Sequence, residues 1–236
     1  MPLTSIEPRR LYRQIAEQLR GLIASGEYSV GERLPPERDL AKQLRVSRPS
    51  VREALIALEV EGLVEVRVGS GIYVRLPATA GFHASAAANG GPHAGPFELI
   101  RARKAIEGEC AALAAKAGKR LQLAQIGSAL KQMEADAQSM AQPLEADRLF
   151  HLRVAEATNN GALVQVVKGL WEERGGPLFN QLQHHFDTPK SWSSAIREHT
   201  AVLEAIRSHD PDQARAAMHH HMEQAAKRFS KSWDGR

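Results

Sequence analysis

Apolar residues in the first third of the chain follow two different periods. Leu11, Ile15, Leu19, Leu22 and Ile23 recur at helical spacing and Gly26 ends the run, which predicts a first helix. A second helix is expected after Leu34-Pro35-Pro36, because proline is tolerated in a first turn, with Leu40 and Leu44 turned inward. Ser47 has the chemistry of an N-cap for a third helix whose buried face is Val51, Ala54, Leu55 and Leu58. The period then becomes two. Leu63-Val64-Glu65-Val66-Arg67 alternates as a strand, Gly69-Ser70-Gly71 turns the chain, and Ile72-Tyr73-Val74 returns. Three helices and a hairpin predict a winged helix-turn-helix.

From residue 97 onward the pattern is helical throughout, over 97–117, 121–140, 144–158, 161–174, 177–186, 190–208 and 211–231, with Gly175-Gly176-Pro177 breaking what would otherwise be one long helix. The two regions differ in composition: all three Tyr lie before residue 77, whereas every Phe, Trp and His lies after residue 81. Between them, residues 77–96 are rich in Ala, Gly and Pro and carry no charge, which reads as a linker. The expected fold is mainly α: a winged helix-turn-helix over 1–76, the linker over 77–96, and an all-α bundle over 97–236.

Composition narrows this picture in a few places. With 43% hydrophobic and 25% charged residues in 236, the chain has the balance of a globular protein. A single cysteine, Cys110, excludes an internal disulfide and a cysteine-based zinc finger. No apolar run reaches the roughly 20 residues that span a bilayer, and MPLTSIEPRR lacks the apolar core of a secretory signal, so no membrane partner and a cytoplasmic location are expected. The net charge of +4 says little, but its distribution says more: from Arg33 to Arg52 six basic residues face two acids.

That local positive field coincides with the third helix, whose N-terminal residues enter the major groove in such a motif. Ser47, Arg48, Ser50 and Arg52 stand there. Arginine can grip guanine O6 and N7 with two hydrogen bonds, whereas Arg38 on the preceding helix and hydroxyls such as Ser50 suit phosphates. Gly69 and Gly71 would let the wing approach the minor groove. The stretch LPPERDLAKQLRVSRPSVREALIALEVEGLVEVRVGSGIYV resembles the DNA-binding signature of GntR-type bacterial transcription regulators, over residues 9–76. The resemblance implies a homodimer on a short palindromic operator, with Arg38, Arg48 and Arg52 at the family's DNA-contacting arginine positions and Gly69 at the wing tip.

In the helical region, placing residues at about 100° each puts Asp147 and His151 one turn apart on one apolar face, and His199 at the centre of the stripe Trp192, Ala195, Ile196, Val202, Leu203 and Ile206. Of His219-His220-His221, only His221 joins the inward stripe of Ala214, Met218, Met222, Ala225 and Phe229. A lone inward histidine is usually a hydrogen-bonded core residue, and a buried aspartate without a partner is costly. Three inward histidines and one aspartate on three helices point instead to a divalent metal. Imidazole and carboxylate ligands suit Zn²⁺, Ni²⁺, Fe²⁺ or Mn²⁺, with zinc the first choice although spacing does not select among them. ADRLFHLRVAEATNN, with its Asp-x-x-Phe-His core, followed by His199 and His221, is similar to the metal-binding form of the ligand-sensing (FCD) domain of the FadR subgroup. The resemblance implies metal ligation by Asp147, His151, His199 and His221.

Four protein ligands leave one or two positions that a small carboxylate effector could fill. Arg103 sits among Leu99, Ile106, Cys110, Leu113 and Ala114, where a cation either meets an anion or pairs with Glu107 one turn on. Asn160, matching a common family asparagine, either lines the same cavity or marks a helix boundary. The leading expectation is a DNA-binding regulator, a repressor in sign, whose helical domain senses an organic acid. A purely structural metal is the second reading. A metal-dependent hydrolase or lyase fused to a DNA-binding module is the third, and no HExxH motif supports it.

Overall fold

The structure, a computed structural model, describes residues 10–75 and 94–231, so the expected linker over 77–96 lies outside the described residues as far as residue 93. Chain contacts divide the molecule into a first compact unit ending at Gly95 and a second from Pro96 to Ser230.

In the first unit, α1 (Leu11–Ala24), α2 (Glu37–Leu44) and α3 (Arg48–Val60) precede the hairpin of β1 (Val64–Arg67) and β2 (Gly71–Val74). Pro36 opens α2, and Glu37 and Asp39 in its first turn complement the positive end of the helix dipole. Arg45 leaves α2 in the left-handed region at φ 55°, and Ser47 then caps α3, its hydroxyl accepting from the Ser50 amide at 3.3 Å. The strands pair antiparallel with Val64 opposite Val74 and Val66 opposite Ile72. The hairpin turns through Gly69 at φ +81°. Residues 31–34 run beside β2 as well: Gly31 donates to the Val74 carbonyl and Leu34 to that of Ile72, each at 2.8 Å. Hydrophobic periodicity does not mark this third ribbon, because only Leu34 of it enters the core.

The second unit is all helix among the described residues: α4 (Pro96–Ala117), α5 (Arg120–Gln138), α6 (Leu144–Glu156), α7 (Gly161–Arg174), α8 (Pro177–Phe186), α9 (Pro189–Arg207) and α10 (Pro211–Phe229). Helix α4 packs along α10 and also meets α6, α7 and α9. Its Gly108, Ala111, Ala112, Ala114 and Ala115 are buried, and small side chains allow that close approach on several sides. A Cβ at Gly108 would run into the His219 ring of α10. The predicted break falls where expected, with Gly176 as the N-cap of α8 and Pro177 in its first turn. The expected α4 stripe is rotated in part: Leu113 is exposed, whereas Glu107 is buried. No helix among the described residues is long and apolar enough to cross a membrane.

Candidate functional site

At the start of α3, Arg48 is exposed, while its Nε donates to Glu37 Oε1 at 3.1 Å. Arg38 points outward with its side chain 79% exposed, touching Asp39 at 3.2 Å. Ser47 and Ser50 share a hydroxyl contact of 2.8 Å at the exposed helix tip, and Gly69 is exposed at the hairpin turn. Arg52 departs from the expectation. Its residue exposure is 1%, and its Nε donates to Glu37 Oε2 at 2.8 Å. A guanidinium so enclosed and bonded is a structural brace in this conformation rather than a surface contact. Glu37, which sequence reading passed over, is the carboxylate that holds both Arg48 and Arg52.

In the second unit, α6, α9 and α10 bring Asp147, His151, His199 and His221 together, all buried, with one ligand atom from each within 4.8 Å of the others. His199 Nε2 lies 3.1 Å from both His151 Nε2 and Asp147 Oδ1, and His151 Nε2 lies 3.6 Å from the same oxygen. The opposite ring nitrogens all face an oxygen. His199 Nδ1 donates to the Ala195 carbonyl at 2.7 Å, His221 Nδ1 to Glu198 Oε2 at 2.9 Å, and His151 Nδ1 faces a Glu107 oxygen. On His199 and His221 the proton sits on Nδ1, which leaves Nε2 its lone pair for the centre, the arrangement that orients metal-ligating imidazoles. His151 Nδ1 lies beside Glu107 but makes no hydrogen bond. The donor set and its outer partners therefore fit a divalent cation.

The charges around the centre are set by specific neighbours. Burial opposes ionisation of Asp147, but the neighbouring His151 and His199 and the Arg174 charge hold its carboxyl well below the usual range. Glu107 is likewise opposed by burial and held down at about 2 by Arg103 and His151. Burial works against a proton on His151, yet Glu107 and Asp147 outweigh it and raise its pKa. His221 goes the other way, lowered by burial and by the charges of His199 and His151.

A solvent-open cleft adjoins the centre, with Asp147, His221, Arg103, Arg174 and Arg228 on its lining. Arg103 is 5% exposed and does two things at once: it pairs with Glu107 at 2.7 Å and stacks 4.1 Å above the Trp171 ring. Arg174 covers the same ring at 4.7 Å and lies 3.4 Å from Asp147 Oδ2. Arg174 Nε and Trp192 Nε1, both from cleft residues, are buried donors without an acceptor. Asn160 is not part of this site. It is exposed and caps α7, accepting from the amides of Ala162 at 3.0 Å and Leu163 at 3.4 Å, which is the helix-boundary alternative. Arg174 and Arg228 were missed in the sequence because long side chains reach the cleft from positions with no pattern of their own, and Glu198, which bonds His221 and Arg228, because it lies off the stripe of α9; only the inward position of Arg103 beside Glu107 carried a signal.

A winged helix-turn-helix unit joined to a separate helical unit defines a class, the two-domain DNA-binding regulators of transcription. Residues 11–74 match the bacterial regulatory proteins of the gntR family and residues 98–224 match the FCD domain, so the chain belongs to the GntR family and carries the FCD domain of its FadR-like subgroup. It is similar to the Uxu operon transcriptional regulator of Escherichia coli strain K12, 39% identical over 94% of this chain and 87% of that one. It is 40% identical to the Exu regulon transcriptional regulator of the same strain, over 92% and 83% of the two chains, and 38% identical to the Uxu operon regulator of Haemophilus influenzae, over 91% and 80%. Among solved structures, E. coli McbR/YncC shares the fold at a TM-score of 0.50 and 22% identity, over 94% of this chain and 97% of that chain. The chain is a DNA-binding transcriptional regulator and not an enzyme.

Proposed function

We propose that this regulator is a homodimeric repressor that binds a palindromic operator and is released by a small organic acid sensed in its helical unit. Arg48 reads base edges, Arg38, Ser47 and Ser50 anchor phosphates, and Gly69 brings the wing against the duplex. Arg52 acts from within, bracing Glu37. The DNA-binding domain runs over 1–76, the linker over 77–96, and the sensing and dimerisation domain over 97–236, in the cytoplasm.

Asp147, His151, His199 and His221 would hold a divalent metal, with zinc first and nickel, iron or manganese as alternatives. Once bound, the ion supplies a positive centre at the wall of the cleft. The observation that carries this reading is the convergence of three imidazoles and one carboxylate, one ligand atom from each within 4.8 Å, with His199 and His221 oriented through their Nδ1 atoms. The effector's class follows from the lining beside it: Arg103 and Arg174 favour a carboxylate, and the acceptor-less donors Arg174 Nε and Trp192 Nε1 favour further oxygens. Elemental analysis of the purified protein, combined with a thermal-shift screen of carboxylic acids, tests it. Metal at one equivalent per chain, and a melting shift by an acid that also weakens operator binding, is the expected result. Metal-free protein that still answers such an acid equally well would overturn the metal's part.

A further inference from the structure

The arginines of the cleft do not stand beside the histidine–aspartate cluster independently; each touches it through a carboxylate. Arg228 donates from Nη1 to Glu198 Oε1 at 2.6 Å and from Nη2 to Oε2 at 3.1 Å, and the same Oε2 accepts from His221 Nδ1 at 2.9 Å. Arg103 donates to Glu107 at 2.7 Å, and Glu107 faces His151 Nδ1. Arg174 lies 3.4 Å from Asp147 itself. Glu198 and its partners are well enclosed, with side-chain exposures of 11% for Glu198, 17% for Arg228 and 6% for His221. In such surroundings charge is weakly screened.

A carboxylate shared between a guanidinium and an imidazole N–H divides its acceptor strength. Relieved of the guanidinium, it draws harder on the Nδ1 proton and makes the opposite nitrogen a better donor to a cation. We propose that Arg228 and Arg103 restrain the metal affinity of the cluster through Glu198 and Glu107, which are positioning residues; this rests on the reading of Asp147, His151, His199 and His221 as a metal centre. An anion that draws Arg228 from its fork with Glu198 leaves that carboxylate to His221 and tightens the metal, and by linkage the metal tightens the anion by the same factor. Metal and anion are then mutual effectors, not merely neighbours.

The test is a double-variant cycle on the full-length protein with Zn²⁺ alone as probe, because imidazole–carboxylate sites bind zinc tightly among divalent ions. Affinity is read by competition with a chromophoric chelator, and folding by circular dichroism and thermal melts. Glu198→Gln weakens zinc about tenfold or more. Arg228→Met tightens it severalfold, and the double variant matches Glu198→Gln. Should Arg228→Met not fold, Arg228→Lys keeps a cation with fewer bonds and tightens zinc by a smaller factor. A merely structural role predicts the opposite sign for the arginine, weaker zinc in step with lost thermal stability. Zinc that fails to tighten in the arginine variants, or an effect of Arg228→Met that persists undiminished in the Glu198→Gln background, overturns the coupling. Wild-type protein that takes up no zinc, or a His199→Ala variant that binds it as tightly as wild type, overturns the metal centre on which the coupling rests.

Discussion

Glu37 holds two arginines of opposite fate, the exposed Arg48 and the buried Arg52. Their variants separate accordingly. On the proposed reading of Arg48 as a two-bond base contact, Arg48→Ala is expected to cost about 1 to 3 kcal/mol on the operator and little on scrambled DNA, measured by fluorescence anisotropy on both. Arg38→Ala weakens both alike and flattens the salt dependence, as the loss of one phosphate contact requires. Arg52→Ala leaves the buried Glu37 carboxylate with Arg48 but without its enclosed partner and is expected to destabilise the winged-helix unit by about 1 to 3 kcal/mol in urea unfolding. A loss confined to base discrimination would show that Arg52 leaves its pocket on DNA. Cys110 is a second residue whose surroundings decide its chemistry. Burial, reinforced by the nearby charges of Glu107 and Glu109, pushes its thiol up from the ordinary 9.0 to about 12. The folded chain therefore keeps this proton where the unfolded chain loses it, so stability is undiminished by this group below pH 9 and drains away as pH rises from there toward 12. Alkylation at pH 8.5 should be orders of magnitude slower in native protein than in urea, because the thiolate is the nucleophile. Comparable rates would contradict the burial.

At the scale of elements, caps and breaks decide where helices run. Asn160 closes the start of α7 with two amide bonds, so Asn160→Ala should cost about 1 kcal/mol of stability while metal content and effector response stay at wild-type values. A changed effector threshold would return Asn160 to the cleft. The helices were legible because their signals are local: Gly26, Pro36, Ser47, the Gly175-Gly176-Pro177 break and the inward stripes each act within a few residues. The four buried residues of the cluster were legible for the same reason, since a histidine or aspartate in mid-stripe conflicts with its own helix face. The rest of the site was not. Glu198 sits off the stripe of α9 and reaches His221 on α10 across the packing of the two helices, and Arg174 and Arg228 reach the cleft from helix ends. Such contacts depend on how helices cross, which periodicity does not encode. Leu113 was misplaced because the α4 stripe is set by the inward Arg103 and Glu107 pair rather than by apolar residues alone.

At the scale of the whole molecule, one chain offers one recognition helix, and a two-fold dimer offers two that are inverted. Footprinting is therefore expected to reveal an inverted repeat with half-sites on one face of the duplex, and a protected direct repeat would rule out that symmetry. The strongest separation between the units is expected from His199→Ala. His199 is fully buried in the helical unit, its Nε2 is 3.1 Å from both Asp147 and His151, and its Nδ1 is tied to Ala195. Its removal takes away one of four donors and opens the cluster, so metal content should fall by at least the 10- to 100-fold that even an outer partner controls. The winged-helix unit has its own core of Leu19, Leu34, Leu55, Leu58 and Ile72, and operator affinity without effector should stay within about threefold of wild type. A ligand can move the DNA-binding equilibrium only by its differential affinity for the two dimer arrangements. On the proposed function, loss of the metal deprives the acid of its anchor and that differential, and the operator should stay occupied at acid concentrations that release the wild-type protein. Elemental analysis and operator titrations with and without the acid, on both proteins, measure all three quantities. If the metal is lost and the response persists at wild-type concentrations, the ion is structural and the acid is held by the arginines alone.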